Sequence, residues 1–207
     1  MNIEESTGYF KENLALQIHK VITPELCHNL ISKYERYDDS DRSNVISDEI
    51  IKECADSVFV DNVHALLEAV FQGGYQVRWS RVDVVDSCAT LYEYNTRWHL
   101  DGGIPKTLKL FVYLNSVSEH GGNTLIIDRE RTKKLKESGV LPRNDDERTE
   151  DLTPALERLG LDSSYSAYDL KAGDALLFSP LLLAHRCLPP QVSQKRFTVC
   201  FTITPAV

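Results

Sequence analysis

The segment WHLDGG places a histidine and an aspartate, His99 and Asp101, two residues apart. In extended backbone, side chains two positions apart point to the same side, so an imidazole and a carboxylate can bind one ion there. Two ligands hold a metal loosely, and a third is expected from a neighbouring strand. His185 in SPLLLAHRCLPP is the candidate, since it lies near the end of an apolar strand, where a polar side chain needs a reason to face inward. We therefore predict a metal site formed by these three residues.

The combination of two histidines and one carboxylate indicates a particular chemistry. Such ligands occupy one face of an octahedron and leave three positions open, which nonhaem iron(II) oxygenases use for oxygen and a chelating cosubstrate. Each part of the pattern is weak alone, because a surface histidine near an aspartate in a turn is common. The order of the residues along the chain, and the arginine that follows them, make the pattern specific.

Arg196 follows His185 by eleven residues and opens the strand RFTVCFTIT. Arg196 and Thr198 share one parity, opposite to the bulky Phe197 and Val199, so they are expected on the other face of the strand. A buried arginine is rare unless it is paired, and no acidic residue is adjacent in this strand. A planar guanidinium fits the far carboxylate of a dicarboxylic cosubstrate, and the Thr198 hydroxyl can add a donor. The alternative is a surface salt bridge at the start of the strand.

The elements that must position these residues are short strands that follow a helical region. In the first third of the chain, Thr23 is a good N-cap before a helix, and a second helix is predicted over Asp61–Phe71, ended by the glycine pair at 73–74. From Tyr75 onward the segments are short and rich in β-branched and aromatic residues: QVRWSRVDVV, SCATLYEY, TLKLFVYLNS, NTLIID, DALLFSPLLL and RFTVCFTIT. The pattern predicts a mainly β fold with supporting helices, such as a sandwich or jelly roll.

The length of 207 residues favours a single domain over 1–207. We expect residues 1–74 to form mostly helical support, and 75–128 and 169–204 to supply the strands. The polar, partly helical stretch 129–168 is an insertion that is long for a connection inside a compact domain. Such segments often carry function, and we predict that it forms a mobile cover over the metal.

Composition excludes several classes of function. The net charge is −8, from 23 basic and 31 acidic residues, which argues against a protein that binds duplex nucleic acid. No apolar run approaches the roughly 20 residues that a membrane span needs, and the acidic N-terminus lacks the apolar core of a signal peptide. We therefore expect a cytoplasmic monomer or homodimer without membrane partners. The five cysteines show no C-x-x-C spacing and are expected to be free thiols.

Taken together, four segments carry a family resemblance. Over ATLYEYNTRWHLD, LKLFVYLNSVSEHGGNT, KAGDALLFSPLLLAHRCLPP and KRFTVCFTI the chain resembles the iron(II)/2-oxoglutarate-dependent dioxygenase superfamily, most closely its prolyl-4-hydroxylase-like branch. VITPELCHNLI is similar to the family's first helix. The likeness is clearest over 89–124 and 170–203 and implies a double-stranded β-helix (jelly roll) core. Two features depart from the family: a short connection before WHLDGG without the usual glycine, and the stretch 129–168.

The resemblance implies roles for individual residues. His99, Asp101 and His185 match the iron ligands. Arg196 matches the 2-oxoglutarate anchor. Tyr113 matches a tyrosine that shares the cosubstrate carboxylate in some members, with a core aromatic as the alternative, and Tyr92 matches another cosubstrate-facing tyrosine. Further candidates for the pocket wall or the substrate side are Trp79, Arg81, Tyr94, Trp98 and His120.

The activity that the resemblance implies is hydroxylation of an unactivated C–H bond, with release of succinate and CO2. Its cofactors would be iron(II), 2-oxoglutarate and O2, with ascorbate as a further candidate. Related halogenases replace the carboxylate ligand with a small residue, so Asp101 argues against halogenation and leaves hydroxylation as the default, with desaturation, epoxidation and ring closure as alternatives. The substrate would be a small molecule or an amino-acid or peptidyl side chain such as proline. Two alternatives remain: a non-catalytic jelly-roll binding module, and a cupin-type metal enzyme that does not use 2-oxoglutarate.

Overall fold

The computed structural model describes residues 2–36, 43–87, 93–139, 151–161 and 164–206. Within these residues, helices dominate the first part and strands the rest. The helices are α1 (Ile3–Asn13), α2 (Pro24–Glu35), α3 (Ser43–Val58), α4 (Asp61–Phe71), α5 (Glu93–Thr96), α6 (Val117–His120), α7 (Arg129–Glu137) and α8 (Thr153–Leu159). The strands are β1 (Ala15–Ile18), β2 (Tyr75–Asp86), β3 (Leu108–Tyr113), β4 (Asn123–Ile126), β5 (Ala175–Phe178), β6 (His185–Leu188) and β7 (Lys195–Pro205).

The predicted helices form where their end signals indicate. Thr23 caps α2 by accepting a hydrogen bond from the backbone N–H of Leu26 at 3.1 Å. Helix α4 has the predicted bounds, but Gln72 rather than the glycine pair adopts the left-handed conformation that ends it, with φ 59°. The glycines follow the cap instead of forming it. A side chain in this conformation is uncommon, which is why the sequence favoured glycine.

The strands form two antiparallel sheets. The five-stranded sheet has the order β1-β5-β3-β7-β2, and the two-stranded sheet pairs β4 with β6. Strand β1 lies within the first 74 residues, whose other described elements are the helices α1 to α4. Its four residues pair with β5, beginning at Ala15 opposite Phe178. A strand this short has too little alternation for a periodicity argument to detect, so the sequence missed it.

The two faces of the five-stranded sheet have different surroundings. Helices α1 to α4 cover one face with a cluster of fully buried side chains that includes Leu30, Leu66 and Leu67. Phe197, Val199 and Phe201 of β7 join this cluster, whereas Arg196 and Thr198 lie on the opposite face. The predicted parity of β7 is therefore confirmed. Burying each of these large apolar side chains stabilises the fold by roughly 1.5–3 kcal/mol, and it leaves the other face of the sheet to carry the polar residues.

Two predicted strands differ from the structure. The apolar strand expected over 174–183 ends at Phe178, and the backbone N–H of Leu183 bonds to the carbonyl of Ser179 at 3.1 Å in a turn. Pro180, two residues after Phe178, has no N–H to donate to a neighbouring strand, so the sheet pairing stops before it. His185 therefore begins the separate strand β6 rather than lying near the end of the first. Of the predicted strand SCATLYEY, residues 93 and 94 belong to the helical turn α5, and 88–92 lie outside the described residues.

The described part of 129–168 packs on a core of its own. Leu135 of α7 and Leu156 of α8 are fully buried in a cluster that includes Trp98 and Leu100. The backbone N–H of Leu152 also bonds to the Trp98 carbonyl at 2.7 Å. The segment is therefore anchored beside the sequence WHLDGG, and its mobility as a cover stays a prediction.

Two expectations from composition concern the described residues. Cys27, Cys54, Cys187 and Cys200 are buried free thiols, as predicted for them, and Cys88 lies outside the description. Burial raises the pKa of the Cys27 thiol to about 12, which keeps it protonated. None of the helices described is long and apolar enough to cross a bilayer.

Candidate metal centre and adjoining pocket

The three predicted ligands meet between the two sheets. His99 and His185 form an antiparallel bridge, each backbone N–H donating to the other's carbonyl at 3.0 Å. Directly opposed residues hold their side chains close together, and the two imidazole centroids are 4.3 Å apart. The turn after β5 holds the third ligand, because the N–H of Asp101 donates to the Pro180 carbonyl at 3.0 Å. One ligand atom from each of the three residues lies within 4.8 Å of the other two.

Backbone carbonyls fix the protonation of both imidazoles. Nδ1 of His99 lies 2.8 Å from the Arg97 carbonyl, and Nδ1 of His185 lies 3.0 Å from the Leu183 carbonyl. A carbonyl oxygen only accepts, so each Nδ1 must carry the hydrogen. In the neutral imidazole, Nε2 then keeps its lone pair for a metal. Sequence spacing could not predict this feature, because the two carbonyls belong to the local backbone geometry.

The distances among the ligand atoms suit a shared cation better than direct hydrogen bonds. Nε2 of His99 is 3.8 Å from Oδ1 of Asp101, and Nε2 of His185 is 4.0 Å from its Oδ2. Metal–nitrogen and metal–oxygen bonds of about 2.0–2.2 Å place neighbouring ligand atoms about 3 Å apart, so closing around an ion takes about 1 Å of movement. Both imidazoles are nearly inaccessible, 3% and 4% exposed, which limits competition from water.

Lys109 is part of the centre although no sequence motif predicted a role for it. Its ammonium forms an ion pair with Asp101. Burial raises the pKa of the Asp101 carboxyl, but the positive charge of His185 in its protonated form and that of the Lys109 ammonium outweigh burial and lower this pKa to about 2. The carboxylate is therefore charged at neutral pH, as a metal ligand must be. Alternation along β3 was the signal that could have placed Lys109 on the same face of the sheet as Phe111 and Tyr113.

Arg196 is buried, with 6% of its surface exposed, so the alternative of a surface salt bridge is wrong. One Nη1–H donates to the carbonyl of Asn123 at 3.1 Å, whereas the buried Nε–H has no hydrogen-bond partner. Among the described residues, no carboxylate oxygen lies within salt-bridge distance of this guanidinium. Taking a cation out of water without a counter-ion is costly, so the site suits an anionic ligand that supplies the missing acceptors.

The other predicted cosubstrate residues lie behind the pocket wall or outside the description. Thr198 is 1% exposed, and its hydroxyl lies 3.5 Å from the Asp83 carbonyl. Tyr113 is fully buried, its hydroxyl lies 2.9 Å from that of Thr124, and its ring centre is 6.0 Å from the Arg196 guanidinium carbon. Neither residue lines the pocket described next, so their roles stay predictions. The same holds for Tyr92, which is outside the described residues.

A single pocket joins the metal centre to Arg196. The residues that line it come from both sheets and from α5: Arg81, Asp83, Val85, Asn95, His99, Lys109, Phe111, Thr124, His185, Arg186, Cys187 and Arg196. Arg81 is confirmed as a lining residue, and Trp79 packs against its guanidinium at 4.8 Å. The side chain of Tyr94 lies outside the description. Thr124 and Asn95 were missed, because neither belongs to a periodic apolar pattern that would indicate which way it faces.

His120 belongs to the interior rather than to the pocket wall. It is fully buried, and its Nδ1 accepts a hydrogen bond from the backbone N–H of Gly122 at 3.0 Å. Burial and the charge of Arg196 lower the pKa of His120 to about 4, so the imidazole is neutral at physiological pH. His120 is not among the described residues that line the pocket, so its contact with a substrate stays a prediction. Its contact with Gly122 instead shapes the turn before β4.

Comparison with known proteins gives matches at the level of structure. No protein-family model matches the chain, and no curated protein matches it by sequence. SnoN from nogalamycin biosynthesis, an epimerase solved with Fe3+, alpha ketoglutarate and nogalamycin RO, aligns over 99% of this chain and 84% of its own, with TM-score 0.71 and 14% identity. HygX from Streptomyces hygroscopicus, with nickel and 2-oxoglutarate bound, aligns over 98% and 87%, with TM-score 0.64 and 15% identity.

A third solved structure extends the likeness. EctD from S. alaskensis, with 2-oxoglutarate and 5-hydroxyectoine, aligns over 97% of this chain and 75% of its own, with TM-score 0.66 and 12% identity. All three bind 2-oxoglutarate or alpha ketoglutarate in these structures. The predicted superfamily fold is therefore confirmed, whereas the prolyl-4-hydroxylase-like branch stays a prediction. This chain has the jelly-roll fold of the iron- and 2-oxoglutarate-dependent oxygenases.

Proposed function

We propose that this protein is an iron(II)- and 2-oxoglutarate-dependent oxygenase that hydroxylates an unactivated C–H bond of a small molecule. The observation that carries the proposal is the pairing of two features in one pocket. Three ligand atoms converge within 4.8 Å, and the same pocket contains the guanidinium of Arg196 without a carboxylate partner among the described residues. A binding module for a sugar or peptide needs neither feature.

The residues present fit a divalent iron. Nε2 of His99, Nε2 of His185 and one carboxylate oxygen of Asp101 would hold the ion, since both Nδ1 atoms are committed to carbonyls. Two histidines and a carboxylate leave coordination positions open for further ligands. Lys109 would stay on the other oxygen of Asp101, which favours binding of the metal through a single carboxylate oxygen.

The cosubstrate would be held at its far carboxylate by Arg196. The buried Nε–H of this residue needs an acceptor, and a guanidinium presents parallel donors that match a carboxylate. We propose Thr198, Tyr113 and Tyr92 as further contacts, as the family resemblance implies. Iron, 2-oxoglutarate and O2 together supply the oxidant for the C–H bond, with 2-oxoglutarate leaving as succinate and CO2.

The contribution of the chain itself is orientation and exclusion of water. Phe178 packs edge-on against His185, with ring centres 5.0 Å apart, and limits the imidazole to one orientation. Phe111 forms an apolar part of the pocket wall. Ligands that backbone hydrogen bonds hold in advance need little reorganisation when substrate binds, and a dry pocket protects a reactive site from side reactions.

A small molecule is the better candidate substrate. The solved structures of similar fold contain nogalamycin RO, hygromycin B or 5-hydroxyectoine, which are small compounds. SnoN is named an epimerase and SnoK a carbocyclase, so this fold also supports oxidative outcomes other than hydroxylation. The Asp101 carboxylate argues against halogenation only, so hydroxylation is proposed as the default outcome, and free proline is among the substrates to be tried.

The test is turnover of 2-oxoglutarate by the purified protein. With iron(II), O2 and a panel of metabolites and peptides, succinate should form in proportion to a product that has gained one oxygen atom. Asp101→Ala should lower succinate formation at least about 100-fold, because it removes a ligand. Asp56→Ala, which changes an exposed carboxylate on α3, is the matched control and should retain activity.

The same assay separates the competing functions. A binding module would form no succinate with any member of the panel. A cupin-type enzyme would consume substrate in a metal-dependent reaction without consuming 2-oxoglutarate. Either result would reject the proposal, whereas an epimerised or cyclised product formed together with succinate would keep the cofactors and change the outcome.

A further inference from the structure

The edge strand β2 carries a row of side chains that leads from the Arg196 end of the pocket to the protein surface. The row consists of alternate residues of β2, which lie on the pocket face because each pairs with a pocket-facing residue of β7. The pairs are Val85 with Arg196, Asp83 with Thr198, Arg81 with Cys200 and Trp79 with Thr202. Exposure rises steadily along the row. Val85 is 4% exposed and Asp83 7%, whereas the side chain of Arg81 is 37% exposed and Trp79 47%.

Arg81 occupies the middle of this gradient and is fixed from two sides. Its Nε forms an ion pair with the carboxylate of Asp83, toward the interior. On the outer side, its guanidinium carbon lies 4.8 Å from the ring centre of Trp79. A guanidinium that is already oriented by a carboxylate and an aromatic ring loses little conformational entropy when it binds a ligand.

The charge around the pocket is opposite to that of the chain. The whole protein has a net charge of −8. Four lining residues are nevertheless basic, namely Arg81, Lys109, Arg186 and Arg196, and Asp83 is acidic. When the carboxylate of Asp101 is included, these residues leave two positive charges in excess. Iron(II) and the 2-oxoglutarate dianion cancel each other, so the described residues keep the loaded pocket positive.

Strand spacing limits the width of the pocket beside Arg81, and with it the size of a molecule that binds there. Arg81 pairs with Cys200 on β7, and Cys200 pairs with Phe111 on β3. Two interstrand spacings, about 10 Å in total, therefore separate the backbones of Arg81 and Phe111. The side chains of Arg81 and Phe111 both line the pocket, so the gap between them admits a small molecule rather than a large one.

We propose that Trp79, Arg81 and Asp83 form the substrate subsite of this pocket, and that it binds an oxyanion, a carboxylate or a phosphate, on a small substrate. The proposal deepens the proposed function and rests on it for the identity of the pocket. Arg81 presents N–H donors to the oxyanion, Asp83 holds the guanidinium in place, and Trp79 supports it from the solvent side. The C–H bond to be oxidised then lies a few atoms from the oxyanion.

The test is binding of matched probes to the protein loaded with nickel(II) and saturating 2-oxoglutarate. Saturation keeps the Arg196 end occupied, so an added anion must bind elsewhere. The probes are linear carboxylates of two to eight carbons against their primary amides, and alkyl phosphates of the same lengths against the alcohols, each titrated by calorimetry. At least one anionic probe should bind about tenfold more tightly than its neutral counterpart, as expected for a charge-assisted contact. The pair that shows this preference identifies the oxyanion.

Two variants of the same strand assign the preference to its residue. Arg81→Gln should reduce the ratio of anionic to neutral affinity to below about twofold, because an amide keeps polarity without charge. Arg78→Gln is the control, since Arg78 is an exposed arginine of β2 that does not line the pocket, and it should keep the ratio. Melting temperatures of the three loaded proteins show whether a loss reflects unfolding.

The outcomes bear on the two proposals separately. Anionic probes that bind no better than neutral ones, or not at all, overturn the subsite, as does a preference that survives Arg81→Gln. Nickel does not support turnover, so this measurement stands whether or not the iron enzyme forms succinate. Failure of succinate formation with a normal anion preference would reject the proposed function and leave the subsite intact.

Discussion

Arg196 offers a test in which stability and ligand binding should change in different directions. Arg196→Met replaces a buried guanidinium by an apolar side chain of similar length. In the cofactor-free protein this residue is 6% exposed and donates a hydrogen bond to the Asn123 carbonyl. Taking an ion out of water costs several kcal/mol even after the protein relaxes, and Arg196→Met removes this cost. Leaving the Asn123 carbonyl without its donor costs about 1–3 kcal/mol.

The two effects nearly cancel, so the free energy of unfolding of Arg196→Met should stay within about 1 kcal/mol of the wild-type value or exceed it. The affinity for 2-oxoglutarate should fall much further. Two charge-assisted hydrogen bonds contribute about 3–6 kcal/mol together, so the dissociation constant should rise at least about 100-fold. Urea unfolding of the metal-free protein and calorimetric titration of the nickel-loaded protein measure the two quantities.

A structural arginine would behave differently. If Arg196 served a compensated ion pair within the fold, its removal would leave the partner charge buried and lower the free energy of unfolding by about 3–5 kcal/mol. Such a loss of unfolding free energy, together with an affinity for 2-oxoglutarate that changes less than about tenfold, would refute the argument that Arg196 binds the far carboxylate of 2-oxoglutarate. Arg78→Met, on the exposed side of β2, controls for removal of any arginine.

Three further predictions use other parts of the molecule. Nickel(II) at 100 times its dissociation constant should raise the free energy of unfolding by about 2.7 kcal/mol, measured by urea unfolding, and Asp101→Ala should lose this increase. The pKa of His120 is about 4 when folded and 6.5 for a solvated histidine, so the unfolded state binds the proton first as pH falls. Stability should therefore drop by about 2 kcal/mol between pH 7 and pH 5, and His120→Asn, measured at both pH values, should remove this part of the loss. Gly173 has φ 88°, and an added Cβ would lie 2.2 Å from the Ile22 carbonyl oxygen. Gly173→Ala should therefore lower the free energy of unfolding by at least about 3 kcal/mol in the same assay. The control is Gly8→Ala, in open space on α1, which should raise it by up to about 1 kcal/mol.

The features that the sequence predicted well depend on local periodicity. Side chains two apart share a face in extended backbone, so His99 and Asp101 could be assigned to one ion, and the parity of β7 put Arg196 on the face opposite Phe197. The superfamily fold followed from the order of these motifs along the chain. The order of the motifs also placed His185 beside His99 and Asp101, as the structure shows, although the strand that carries it was predicted wrongly.

The features that the sequence missed depend on contacts between distant segments. Lys109 is a single charge in an apolar strand, and nothing nearby indicates that it meets Asp101. The hydrogen bond from the Asp101 N–H to the Pro180 carbonyl joins two residues that are separated along the chain by strands β3, β4 and β5. The orientation of the His120 side chain is set by its hydrogen bond with the Gly122 N–H, and no sequence pattern predicts that this bond forms. Such contacts arise only when the two sheets face each other.

The dipeptide Trp98–His99 explains why the stretch 129–168 bears on the metal site. Successive side chains point to opposite sides, so His99 enters the pocket while Trp98 enters the second core, where Leu156 of α8 is fully buried. The bond from Leu152 to the Trp98 carbonyl ties the same backbone to the segment. A motion that lifted α8 away would expose this core and release the backbone next to His99, which we propose as a metal ligand. A cover that opens for substrate must therefore move without breaking the contacts of Trp98, or else metal affinity must change as it opens.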